Sequence, residues 1–161
     1  MSGLKKNVSF FLFVALGLAM GCTTSEGLLQ NAKVYPTIEV TTVPEFKWPD
    51  TELPQQFQKY WTLRRAGASE QLLDMEAPHI REMIIPARYT GFHNKHMLGW
   101  QSINAESLIK ITDSLVKISF KMKISDSSYP VKVLFFQDTW LKFDNNWVHV
   151  PTDPFLLGEQ I

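Results

Sequence analysis

Cysteine is all but absent: Cys22 is the only one in 161 residues. A single thiol excludes an intramolecular disulfide framework and any metal site built from several cysteines. An excess of charge of either sign is missing too, with 16 basic and 16 acidic residues. Lys5 and Lys6 both precede Cys22, so the chain from there onward is slightly acidic, and nucleic acid is excluded as an expected partner. No repeat at solenoid spacing is visible. Neither is a glycine-rich phosphate loop, a Ser/His/Asp order or a pair of catalytic carboxylates. Nothing in the sequence therefore calls for a cofactor, and none is expected. What remains is ordinary: 45% apolar and 20% charged residues, a globular composition on a length that suits one domain.

The first 22 residues are the most specific. Lys5 and Lys6 form a positive start, and Val8 to Met20 is apolar apart from Ser9. That run falls short of the roughly 20 residues a membrane-crossing helix needs and fits a secretory signal. The run ends in Leu18-Ala19-Met20-Gly21-Cys22, which resembles a bacterial lipobox with alanine where leucine is more usual. The resemblance implies cleavage between Gly21 and Cys22 and acyl chains on the cysteine. Such modification leaves no free thiol in an oxidising compartment, and several acyl chains anchor a domain stably where one is marginal. Thr23 rather than aspartate after the cysteine points to the outer membrane. The expected organisation is a signal peptide over 1–21, a lipid-anchored tether over 22–49 and a folded domain over 50–161. Within the tether, Ile38 and Val40 alternate with polar residues, but Pro36 and Pro44 flank them; the stretch is read as extended tether rather than strand.

Past Asp50 a helix is predicted over 51–66. Asp50 or Thr51 caps it, Leu53, Phe57, Tyr60 and Trp61 form one stripe, and Gly67 stops it. Two further short helices follow, the last opening at Pro78. From Trp100 the period changes to two. Val116, Ile118, Phe120, Met122 and Ile124 alternate with lysines and serine. Strands are also predicted over 106–112, 131–143 and 147–150, with Asp144-Asn145-Asn146 as a tight turn. The expected fold class is α+β, with N-terminal helices packed on a curved antiparallel sheet. Tyr60-Trp61 and Arg64 before Gly67, Ala77-Pro78, and the Trp140 to Trp147 hairpin together resemble the nuclear transport factor 2-like superfamily. That resemblance implies a cone-shaped sheet around a pocket. It implies no particular activity, since the family includes isomerases, dehydratases, hydrolases and lipoproteins of unassigned role.

Few residues offer chemistry. His93 and His96 are spaced three apart and could ligate a metal, but Gly91 and Gly99 flank them and no third ligand lies near; they are read as polar residues of a loop. Asp138 shares a phase with Phe136 and Trp140. Facing inward it is a buried carboxylate with acid–base potential; facing outward it is solvated. His149 is read as packed or hydrogen-bonded, and Trp61 as core with Tyr60 at its margin. Three functions stay open. The first is a lipid-anchored, non-enzymatic binding or scaffolding domain, in which Leu134, Phe136 and Trp140 form a face for a homodimer or an envelope partner. The second is a pocket enzyme of isomerase or hydrolase type with Asp138 as base. The third is a carrier of an apolar small molecule.

Overall fold

The computed structural model describes residues 35–95, 97, 99–126, 129–153 and 156. Gly21, Cys22 and His96 lie outside the described residues. The elements run β1 (Glu39–Thr42), α1 (Leu53–Ala66), α2 (Ser69–Asp74), α3 (Pro78–Arg81), α4 (Pro86–His93), β2 (Trp100–Lys110), β3 (Leu115–Asp126), β4 (Tyr129–Phe143) and β5 (Asn146–Val150). They make one five-stranded sheet in the order β1-β2-β3-β4-β5. Among the described residues no helix is long and apolar enough to cross a membrane.

The structure is α+β, but the expected arrangement needs correction on two counts. A strand precedes the helices, so they are not N-terminal. That strand also pairs in parallel with β2, Glu39 opposite Ser102 through Thr42 opposite Ala105, so the sheet is mixed rather than antiparallel. Parallel neighbours need a long crossover, and α1 to α4 supply it. Ile38, read as tether, is fully buried. Its backbone N–H donates to Thr62 Oγ1 at 3.1 Å, and its carbonyl accepts from Gln58 Nε2 at 3.0 Å. These α1 side chains satisfy backbone groups that the flanking prolines leave outside a regular ladder.

Helix α1 starts three residues after Asp50. Asp50 Oδ1 accepts from the backbone N–H groups of Glu52 and Leu53, while Oδ2 accepts from Lys142 Nζ and Trp147 Nε1, each at 2.8 Å. One carboxylate thus pins the helix start to the β4–β5 hairpin. At the other end Gly67 takes φ 71°. The N–H of Gly67 donates to the carbonyl of Arg64 and that of Ala68 to the carbonyl of Leu63, which closes the helix. A Cβ at Gly67 would also stand 3.2 Å from the backbone of Asn94 and Lys95. Glycine therefore lets the end of α4 come against the end of α1. The inner face of α1 meets the sheet through aromatic contacts: Phe57 and Trp61 lie 5.3 and 5.1 Å from Phe120, ring centre to ring centre, and Phe57 lies 6.0 Å from Trp140. Asp144 and Asn145 both have positive φ, as a tight hairpin turn requires.

Candidate functional site

Helix α1 carries Tyr60, Trp61 and Arg64 on one stripe, and β4 carries Phe136 and Asp138 in one phase. Together with the end of α4, the start of β2 and the end of β5 they line a cavity of about 440 Å³. Trp61, Trp100 and Phe136 make an aromatic wall, with ring centres 5.5 to 6.4 Å apart.

The floor is polar. Residues 75–77 run alongside β5: His149 N–H donates to Met75 O, and Ala77 N–H donates to His149 O, both at 2.8 Å. This backbone pairing sets Glu76 against His149. The Glu76 side chain has 0% exposure. It accepts from Tyr89 Oη at 2.6 Å, from Tyr60 Oη at 3.4 Å and from His149 Nδ1 at 2.8 Å. His149 Nε2 stands 3.5 Å from Asp138 Oδ1, and Asp138 Oδ2 accepts from Trp61 Nε1 at 2.8 Å. Burial alone would push the His149 imidazole down. The Glu76 and Asp138 carboxylates outweigh burial and hold it up at about 10, so it is an imidazolium at neutral pH. Both of its nitrogens then act as donors and neither is free to accept a proton. Burial, and then the Glu76 charge, keep the Tyr60 and Tyr89 hydroxyls protonated, as donors to that carboxylate.

A second group at the cavity is different in kind. Arg64 is 5% exposed. Its guanidinium lies over the rings of both Phe92 and Trp100, 5.1 and 5.3 Å from the ring centres. Nη2 donates to the Phe92 carbonyl at 3.4 Å, whereas Nη1 has no hydrogen-bond partner among the described residues. His93, 3% exposed, packs its ring 4.2 Å from Tyr89, and neither ring nitrogen has a partner among the described residues. Burial first, then the Arg64 and His149 charges, push His93 down to about 3, which leaves it neutral.

The sequence-predicted residues divide as follows. Tyr60, Trp61, Phe136 and Asp138 meet at the cavity. Trp140 is fully buried beneath the helices and Phe136 faces inward, so only Leu134 of the proposed association face is strongly exposed, at 43%. His93 sits in α4, not in a loop, and is buried; no group of three or more metal-ligating side chains occurs among the described residues. Glu76 is not among the sequence-predicted site residues, and Arg64 enters the sequence analysis only through the family resemblance. For Arg64 the signal was there: it lies three residues past Trp61 and four past Tyr60, on the buried stripe of α1. Glu76 sits in an irregular segment between short helices, where no periodicity marks it.

No family model and no curated protein matches the chain. A SEC-C motif containing protein from Psychrobacter arcticus matches with a TM-score of 0.53 at 10% identity, over 71% of this chain and 65% of that one. A second, from Rhodopseudomonas palustris, matches with a TM-score of 0.47 at 7% identity, over 60% of this chain and 73% of that one. This chain thus spans just under two thirds of the Psychrobacter protein, and the likeness to it is one of fold alone. The resemblance to the nuclear transport factor 2-like superfamily drawn from Tyr60-Trp61, Arg64, Ala77-Pro78 and the Trp140–Trp147 hairpin is therefore corrected: the solved structure that matches in fold, with a TM-score of 0.53, is a SEC-C motif containing protein.

Proposed function

We propose that this chain is a lipid-anchored domain of a bacterial envelope that binds a small, largely apolar molecule without transforming it. The observation that carries the reading is the aromatic-walled cavity of about 440 Å³ with buried polar groups converging on it, the general form of a small-molecule site. Binding is favoured over catalysis because the acid–base groups of the floor are occupied with one another. His149 donates to Glu76 and pairs with Asp138 at 3.5 Å, and Asp138 already accepts from Trp61. The face of Leu134, Phe136 and Trp140 does not support a scaffolding role, since Phe136 and Trp140 point into the domain. The anchor rests on the lipobox-like run at Leu18 to Cys22 and on the isolation of that cysteine.

Two measurements test the proposal. Replacing Cys22 by serine moves the protein from the membrane fraction to the soluble fraction of its host; continued membrane attachment refutes the anchor. Titrating the full chain in detergent with two naphthyl probes, the neutral 2-naphthamide and the anionic 2-naphthoate, against a detergent blank, gives a saturable one-site heat with at least one of them. The heat disappears when Val150→Trp fills the cavity. Absence of saturable binding of both probes to the wild type, or equal binding by the filled variant, refutes the pocket.

A further inference from the structure

Two groups of residues at the cavity differ in what they leave unspent. On the floor each charged group has found its partner inside the protein: Glu76 accepts from two tyrosines and His149, and Asp138 accepts from Trp61 and pairs with His149. In the other group a buried guanidinium keeps one nitrogen without an acceptor among the described residues, and both nitrogens of a buried neutral imidazole lack a partner there too. Buried polar groups are seldom left so, and an unmet cationic donor is the costliest kind. Two such residues beside one cavity ask for the same thing, an acceptor delivered from outside.

Their placement says what kind. Arg64 is held against the rings of Phe92 and Trp100 and by the Phe92 carbonyl at one nitrogen. It is therefore fixed before any ligand arrives, with Nη1 the unspent end. His93 follows Phe92 directly, its ring 4.9 Å from that of Phe92. A neutral imidazole offers one N–H. A charge-assisted bond from arginine to a carboxylate is roughly twice as strong as its neutral counterpart. We infer that the ligand of this cavity is a small aromatic carboxylate, its anionic end between Arg64 and His93 and its ring against Trp61, Trp100 and Phe136. This rests on the pocket reading above and adds to it the ligand's charge and the residues that read it.

The test compares two probes of one shape. The full chain in detergent is titrated calorimetrically with 2-naphthoate and with 2-naphthamide, each against a detergent blank. The wild type binds the carboxylate at least tenfold more tightly. Arg64→Gln brings the two probes to within about twofold, by weakening the carboxylate alone. His93→Phe keeps the ring packed on Tyr89, reduces the preference severalfold, and decides the matter should Arg64→Gln fail to fold by circular dichroism. Equal affinity of the wild type for both probes overturns the inference and leaves the pocket standing. An unchanged preference in both variants also overturns it. Binding of neither probe to the wild type overturns both readings together.

Discussion

Glu76→Gln should flatten the alkaline side of the stability profile. The His149 imidazole has an ordinary value near 6.5 and is held up at about 10 in the folded protein, where burial opposes the charge and the two carboxylates favour it more strongly. Below pH 6.5 both folded and unfolded chains carry the proton, and the full stabilisation is present. Between 6.5 and 10 the unfolded chain releases it while the folded chain keeps it, so stability falls by about 1.4 kcal/mol per pH unit. Above 10 nothing of it remains. The ceiling is about 5 kcal/mol, and the loss from pH 6.5 to 9 is about 3 kcal/mol, on the order of 10 °C in Tm for a domain of this size. Glu76→Gln removes the nearer carboxylate, at 2.8 Å, and leaves Asp138 at 3.5 Å. At pH 6.5 the variant loses about 3–5 kcal/mol, as a broken buried pair does. By pH 9 most of the gap to wild type has closed. Urea melts at both pH values measure this, and the Lys142–Asp50 pair, which also weakens in alkali, cancels in the difference. Should the variant prove too unstable to melt, the His149 ring in the wild-type chain, followed by nitrogen-15 NMR, remains protonated at pH 8.5. A neutral ring at that pH, or parallel pH slopes for the two proteins, would refute the reasoning.

Three further outcomes are expected. Asp50→Ala removes the acceptor of two backbone N–H groups at the start of α1 and two cross-links to the hairpin together, and costs about 1–3 kcal/mol. Burial pushes Asp50 up, but hydrogen bonds from Lys142, Leu53, Trp147 and Glu52 hold it at about 2. Its contribution is thus present above pH 4 and fades as the pH falls toward 2, and the variant's acid melt lacks that step. His93→Phe stabilises the domain below pH 6.5 by urea melt, because the unfolded histidine takes up a proton there while the buried one, held down at about 3, does not; equal acid sensitivity in wild type and variant counts against a neutral buried ring. Phe57→Ala empties the centre of the aromatic layer between Trp48, Trp61, Phe120 and Trp140, and lowers stability by about 3–5 kcal/mol in urea with an unchanged m-value.

Much of the fold was legible because burial imposed a period on long segments. The stripe of Leu53, Phe57, Tyr60 and Trp61 located α1, and the alternation from Val116 to Ile124 located β3 with its buried face. The Asp144-Asn145 turn was legible from residue type, since both positions need a positive φ that these residues tolerate. Strand β1 was not. Its alternation, Ile38 and Val40 against polar neighbours, is too short between Pro36 and Pro44 to outweigh a tether, and the pairing partner lies about sixty positions away. What holds the entry to that strand, Thr62 and Gln58 on Ile38, is a set of backbone satisfactions that only the folded chain displays. Missing it changed the topology: without β1 the helices lead and the sheet is antiparallel, and with it the same helices become a crossover. Helix α4 was hidden by Gly91 in its last turn, although Pro86 at its first position was a usable start signal.

The site was less legible than the fold, for a reason that bears on its function. Phase alone could place Asp138 inside or outside, and it decided nothing about the carboxylate's partner. The floor depends on Glu76, which comes to His149 through a backbone bridge between an irregular segment and the last strand; no spacing rule joins residues 73 positions apart. Arg64 was open to two sequence rules at once. At the C-terminal end of α1 it complements the helix dipole, and on the stripe with Tyr60 and Trp61 it turns toward the interior. The first rule explains a solvated arginine completely and so removes any reason to look further. Burial separates them: a residue there only for the dipole has water for all its donors, whereas this one has an acceptor for Nη2 and none for Nη1 among the described residues. The dipole cannot account for a donor left bare beside a cavity, and an incoming acceptor can.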